Sequence, residues 1–157
     1  TPRGAFEVTG QAWKDHEWST SGLGPEAVGW DWFSLQLADG REIMYFNIRR
    51  EDGSIEPVSG GTLIERDGST RYLPKEAIDI EVLDYWQSPE SGATYPAEWI
   101  FTIPDEEIEL HIRPLLPQQE LRVSFTYWEG AVEIEGTQRG YGYIEMTGYY
   151  SSMQGRI

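Results

Sequence analysis

The sequence has no cysteine among its 157 residues. That absence excludes disulfide bonds, thiolate catalysis and cysteine metal sites, but it leaves the redox compartment open, because an oxidising compartment does not require disulfides. Histidine is almost as scarce: His16 and His111 stand apart, without the spacing of metal ligands. Phosphate-binding, dinucleotide-binding and serine-nucleophile motifs are also missing. We therefore expect neither a metal nor another cofactor.

The sequence also has few basic residues and no long apolar run. Twelve Lys and Arg against 27 Asp and Glu give a formal net charge of −15. This balance argues against nucleic acid as a partner, since phosphates are held mainly by basic side chains, and it disfavours anionic membrane surfaces for the same reason. No apolar run approaches the ~18 residues of a membrane-spanning helix, and the N-terminus has no signal-like apolar core. Because Thr1 is not a natural start, we expect a processed or truncated piece of a longer protein.

Turn signals and strand-forming residues are abundant, and the length of residues 1–157 fits a single domain. The segments "ADGR", "EDGS" and "RDGS" place Asp-Gly between alternating apolar runs, which is typical of β-hairpins. We predict an all-β fold, an antiparallel barrel or sandwich, with single helical turns at 74–77 and 104–107. The predicted strands lie near residues 10–18, 29–38, 41–50, 61–66, 78–87, 95–103, 107–113, 121–128, 130–137 and 139–149.

Several predicted strands set an apolar face against an aromatic and polar one. Trp30 and Trp32 share one face of their strand, while Asp31 shares the other with Phe33. A barrel whose cavity is lined by rings and a few polar groups explains this pattern. The segment "WKDHEW" (13–18) is then predicted to be a strand at the cavity wall. Periodicity alone leaves open which face points inward.

Two groups of aromatic residues are candidates for ligand binding. His16 beside Trp18 could orient or protonate an apolar substrate, since histidine titrates near neutrality, or the two could simply fill the fold. Trp30 and Trp32 could stack a planar ligand, a polyene or a cation, or they could fill a wide barrel end.

Two carboxyl groups stand beside large rings near the C-terminus. Glu129 follows Trp128, and Glu145 lies on the same predicted strand face as Tyr143. A carboxyl group in an apolar pocket has a raised pKa, the state that a general acid needs. The pair suits acid–base chemistry only if both side chains face one cavity. The alternative for Glu129 is an outward acidic stripe, and the role of Glu145 stays open.

Five segments, in this order, cover nearly the whole chain: "DHEWSTSGLGPEAVGWDWFSLQLADGREIMYFNIRREDGS", "SGGTLI", "YWQSPESGATYPAEWIFTIP", "QQEL" and "YWEGAVEIEGTQRGYGYIEMTGY". In these segments the chain resembles the C-terminal half of the carotenoid 1,2-hydratase and AttH-like family. The resemblance implies one lipocalin-like antiparallel β-barrel of about 8–10 strands, in a family that normally has two. It also implies an N-terminal lipocalin-like partner domain, a periplasmic, secreted or membrane-associated envelope location and, as a further partner, an envelope transporter.

The resemblance also suggests site residues. His16 and Trp18 match the family's His-x-Trp positions, and Tyr45 matches the tyrosine of its Tyr-x-Asp motif. The aspartate that the hydratases are thought to use as proton donor is here Asn47. An amide is not a catalytic proton donor, so a hydratase mechanism would need a substitute such as Glu129 or Glu145.

Three functions follow from these patterns and from the resemblance. The first is a barrel that binds an apolar or amphipathic small molecule, a lipid or isoprenoid, through ring-bearing residues: Trp18, Trp30, Trp32, Tyr45 and Trp128. The second is an acid-catalysed hydratase or cyclase of an isoprenoid. The third is a structural domain that docks on its partner domain or on a transporter. Unpaired sheet edges further predict a homodimer formed by strand exchange.

Overall fold

The computed structural model describes residue 2, residues 4–15 and residues 23–155. Within these residues the chain forms ten antiparallel strands and two single turns of 3₁₀ helix, at Lys75–Ala77 and Pro104–Glu106. The all-β prediction and both helical turns are confirmed. The strands are β1 (Ala27–Leu37), β2 (Glu42–Arg50), β3 (Gly60–Ile64), β4 (Thr70–Pro74), β5 (Asp79–Gln87), β6 (Thr94–Ile103), β7 (Ile108–Pro114), β8 (Glu120–Arg122), β9 (Thr126–Gly136) and β10 (Gly140–Thr147).

One sheet contains all ten strands. Its order is β4-β3-β2-β1-β10-β9-β7-β6-β5, and the short β8 pairs with β9. Although β1 and β6 are four places apart in this order, the Phe33 ring lies 5.8 Å from Phe101 and 6.1 Å from Trp99. Tyr45 on β2 also contacts Phe101, at 5.7 Å. The sheet therefore curls into a half-barrel whose concave face encloses the core, as expected for a lipocalin-like barrel.

Asp-Gly turns form at the predicted positions, and local hydrogen bonds and backbone conformation explain them. Asp39 accepts a hydrogen bond from the backbone N–H of Arg41 in the β1–β2 hairpin, and Asp67 does the same for Ser69 in the β3–β4 hairpin. The glycine that follows each aspartate has a positive φ, 88° at Gly40 and 83° at Gly68, a conformation that costs other residues energy.

Three strand predictions are wrong. Residues 10–15 form no strand, although one was predicted over 10–18; positions 16–18 lie outside the described residues. The strands predicted at 121–128 and 130–137 are instead one continuous β9 with the short β8 before it. Strand β4, Thr70–Pro74, was not predicted. It is short, ends in proline and occupies a sheet edge, where side-chain alternation is a weak signal.

No helix in the described part of the chain is long and apolar enough to cross a membrane.

Candidate functional site

An apolar groove of about 770 Å³ lies on the convex, outer face of the sheet. Its floor comes from β1, β10 and β9, and its wall is the non-strand segment 10–15. Trp32 on β1 is the register partner of Glu145 on β10, and Ser34 is the partner of Tyr143. Alternate residues of neighbouring strands thus point to one side and form a continuous ring-rich surface.

Segment 10–15 is attached to this surface by a tryptophan. The Trp13 ring meets Trp32 edge-on, with centroids 6.0 Å apart and planes inclined at 70°. The indole N–H of Trp13 donates to Asp15 Oδ1 at 3.0 Å. Edge-to-face packing suits the charge distribution of aromatic rings and adds to the burial of their area. The segment therefore holds both an indole ring and a carboxylate at the groove.

Glu145 and Tyr143 line the groove floor, and Glu129 lies beside them on the outer face. Glu129 and Glu145 are register partners across β9 and β10. Burial raises the pKa of Tyr143 above its ordinary value, and the charges of Glu129 and Glu145 and a hydrogen bond to Glu129 add to that effect. The phenol is consequently protonated at neutral pH and can donate a hydrogen bond.

Trp30 extends the ring surface along β1. Its ring lies 6.2 Å from Tyr127 at an angle of 70°, and its backbone N–H donates to the Thr147 hydroxyl at 3.2 Å. Of the sequence-predicted residues, five therefore share the outer face. They are Trp30, Trp32, Glu129, Tyr143 and Glu145.

A second set of predicted residues lies on the opposite, concave face. The buried Tyr45 hydroxyl donates to Asn47 Oδ1 at 2.7 Å. Burial, together with the charge of Glu76, raises the pKa of Tyr45 to about 12. Both residues border a depression of about 310 Å³ that also includes Lys75. The tyrosine is thus a fixed, neutral donor, and the amide keeps its N–H groups for another partner.

Asp31 is a further candidate that the sequence interpretation did not single out. It is the register partner of Asn47 on the concave face, and its side chain is 14% exposed. Arg49 Nε donates to it at 3.3 Å and the Tyr149 hydroxyl at 3.2 Å, while the guanidinium lies 3.9 Å from the centroid of the Tyr149 ring. Burial raises the pKa of Asp31 and outweighs the opposite effects of Arg49 and Tyr149.

One sequence signal could have found Asp31. It is the single carboxylate on a strand face whose other members, Phe33, Leu35 and Leu37, are all apolar. Buried charges need partners, and a titratable group among apolar neighbours is a common feature of functional sites.

Trp128 also points into the barrel. It is 1% exposed, and its indole N–H donates to the Pro117 carbonyl at 2.7 Å. Core packing and this hydrogen bond explain the position of the Trp128 side chain. His16 and Trp18 lie outside the described residues. The structure therefore divides the described candidates between two faces of one sheet, and their roles in binding or catalysis remain predictions. No group of three or more His, Cys, Asp or Glu side chains in the described part of the chain is arranged to hold a metal ion.

Comparison with known proteins supplies the family. The AttH-like family model matches residues 2–149. The crystal structure of a candidate AttH protein from Nitrosomonas europaea superposes with a TM-score of 0.76 at 36% identity, over 84% of this chain and 42% of that one. This chain thus spans less than half the length of that relative. No curated protein matches. On the extent of the family match, the chain belongs to the AttH-like family.

Proposed function

We propose that this chain binds an apolar or amphipathic small molecule, a lipid or an isoprenoid, in the groove on the outer face of the sheet. The observation that carries the proposal is a groove of about 770 Å³ walled by indole and phenol rings. Ligand sites are typically concave, mainly apolar and equipped with a few placed polar groups. A volume of this size is in the usual range for a drug-sized ligand.

The packing of the concave face supports this choice of site. Phe33, Tyr45, Trp99 and Phe101 contact one another across the barrel. Rings packed in this way leave little room for a guest between them. The outer face, by contrast, exposes 61% of Tyr141, and exposed apolar patches rimmed by polar groups mark binding surfaces.

Titration with the neutral, apolar fluorophore N-phenyl-1-naphthylamine tests the proposal. We expect its fluorescence to rise on saturable binding, and Trp32→Ala to weaken that binding about tenfold, because the ring that forms the groove floor is lost. Tyr72→Ala, which removes an exposed ring on β4, serves as the matched control. Absence of saturable binding, or equal weakening by both substitutions, contradicts the proposal.

A second candidate function is acid-catalysed hydration of an isoprenoid, which the position of Asp31 favours. Glu129 and Glu145 lie on the outer face, away from Tyr45 and Asn47, whereas Asp31 pairs directly with Asn47. In this reaction the Asp31 carboxyl gives its proton to a terminal alkene carbon, water adds to the resulting tertiary cation, and the proton released from that water returns to Asp31.

Turnover of an acyclic carotenoid tests the hydratase. The wild type is expected to add water, Asp31→Asn to abolish the reaction, and Asn47→Asp to retain or increase it. If none of the three proteins forms the hydrated product, the hydratase function is wrong.

The resemblance to the wider family motivates three further proposals, namely an envelope location, an N-terminal lipocalin-like partner domain and an envelope transporter as partner. A match that spans 42% of the Nitrosomonas chain is consistent with a second domain.

A further inference from the structure

Two polar side chains lie buried at the base of the outer-face groove. Ser34 is fully buried and Gln36 is 8% exposed, and both line the groove. Gln36 Nε2 donates a hydrogen bond to Ser34 Oγ at 3.1 Å. That bond uses one donor of the amide, whereas the serine hydroxyl can also donate and the amide oxygen can accept. A wholly apolar guest would cover both groups without offering either of them a partner, which is unfavourable.

Gln36 also lies where this groove meets a second one. An adjoining groove of about 420 Å³ shares Gln11, Gln36 and Tyr141 with the first. The second groove is also lined by Glu133 and Arg139. It therefore presents amide, phenol, carboxylate and guanidinium groups, which include both hydrogen-bond donors and acceptors. The two grooves together form one surface with an apolar part and a polar part.

The order of side chains along β1 gives this surface a direction. Trp32, Ser34 and Gln36 follow one another on the outer face, and the strand from Trp32 to Gln36 is about 13 Å long. Trp32 and Leu115 provide apolar contacts in the first groove, whereas the second groove reaches Ala38, beyond the end of β1. An elongated ligand would bury an apolar tail near Trp32 and extend a polar head past Gln36.

The polar part suits a neutral head with several hydroxyl groups. A hydroxyl both donates and accepts hydrogen bonds, so it can pair with an amide and with a charged group of either sign. A head with a single charge would be attracted by one of Glu133 and Arg139 and repelled by the other. The Tyr141 ring, which is 61% exposed, adds apolar contact area beside the head.

We propose, on the basis of the function proposed above, that the joined grooves bind a lipid whose head is a neutral polyol. Ser34 and Gln36 select the hydroxyl-bearing head, and the rings of the first groove hold the tail. The head is a sugar or a glycerol, which have the same hydroxyl chemistry.

Calorimetric titration of the 157-residue chain with three amphiphiles of matched tail length, all below micelle formation, tests the inference. Octyl glucoside has a sugar head, monooctanoylglycerol has a glycerol head, and tetraethylene glycol octyl ether has a head whose ether oxygens accept hydrogen bonds but do not donate them. We expect at least one polyol to bind about fivefold more tightly than the ether, or better. The tighter of the two polyols distinguishes a sugar head from a glycerol head.

Gln36→Leu and, separately, Gln11→Leu should each lower the preference for the polyol about threefold or more, because each removes an amide where the two grooves meet. Gln11 is exposed on a segment without strand structure, so its variant tests the inference even if Gln36→Leu fails to fold. Gln87→Leu is the matched control, since Gln87 is exposed on the edge strand β5. It should leave the preference unchanged.

Equal binding of the polyols and the ether, or an equal change in the control, overturns the inference, while saturable binding of the neutral fluorophore preserves the proposed function. If neither the fluorophore nor any octyl amphiphile binds, both fail.

Discussion

At the residue scale, burial and an ion pair have opposite effects on the pKa of Asp31. Its ion pair with Arg49 alone would lower its pKa, yet burial outweighs that pair and raises it. A carboxyl with a raised pKa in the folded state binds its proton more tightly there than in the unfolded chain. Stability from this group is therefore present at low pH and is lost as pH rises from about 3.8 through the raised value.

We predict that Asp31→Asn is destabilising, by roughly 1–3 kcal/mol at low pH, because it weakens the contacts with Arg49 and Tyr149. The deficit relative to wild type should shrink as pH rises through the same window and then stay constant. Urea unfolding across pH 3.5–8 measures it. A deficit that grows with pH would show that Arg49, not burial, controls the titration.

Asp39→Asn provides a control of opposite sign. Burial acts to raise the pKa of Asp39, but hydrogen bonds from Arg41 and the charges of Arg41 and Arg66 together lower it. Its contribution to stability is therefore present above 3.8 and is lost as pH falls through the lowered pKa. The deficit of this variant should increase with pH over the acidic range.

The strand faces on which the candidate residues lie were predictable, but the way in which the faces come together was not. Alternation correctly placed Trp30 and Trp32 on one face and Asp31 on the other. It could not say which face is concave, because the curl of the sheet arises from contacts between distant strands such as Phe33 with Phe101. Trp30 and Trp32 were grouped with Tyr45 in one binding site, whereas they lie on the outer face and Tyr45 lies on the concave face.

At the scale of single elements, β9 shows why a glycine misled the strand prediction. Gly130 reads as a break between two strands, but it lies within the continuous ladder. Its missing side chain makes room for Gln119, which accepts a hydrogen bond from Ala131 N–H at 3.0 Å and donates to the Leu116 carbonyl at 2.7 Å. The glycine thus marks a close approach of a side chain to the strand rather than a turn.

We predict that Gly130→Ala destabilises the fold by about 1–3 kcal/mol. A Cβ there would lie 2.3 Å from Gln119 Nε2 and 2.5 Å from the Trp128 ring, so the glutamine must move and give up its bonds to the chain. Gly24→Ala is the control, because its nearest atom would be Glu56 Oε1 at 3.7 Å. Unfolding in urea compares the two variants, and an equal loss of stability in both would contradict this account of Gly130.

At the scale of the whole molecule, the curled sheet has two open edges. The strand order ends at β4 and β5, which are therefore the two edges. Edge β5 exposes Leu83 and Tyr85, yet it also carries Glu81 and Asp84 and has register irregularities next to Asp84. Charges and bulges on an edge strand oppose pairing with another chain.

The positions of the strands were more predictable than the way in which the strands pair and the sheet ends. Nine of the ten strands were anticipated at least in part, since turn chemistry and alternation are local. Local sequence carries little information about which distant segments pair with one another. The sheet edges, the strand β4 and the path of residues 10–15 depend on that pairing. Strand exchange into a homodimer therefore stays a prediction, and the charges on β5 offer a way to test it.

We predict that replacing both Glu81 and Asp84 with threonine strengthens self-association about tenfold, because the substitutions remove like charges from the exposed edge and add residues that favour strands. Sedimentation velocity over a range of concentrations measures the association constant. The control replaces Glu109 and Glu133 with threonine, which changes the net charge equally on the interior strands β7 and β9. If the control associates as strongly as the edge variant, lower net charge explains the effect and β5 is not the pairing edge. If only the edge variant associates, then Glu81 and Asp84 keep the wild-type sheet from pairing with a second copy through β5.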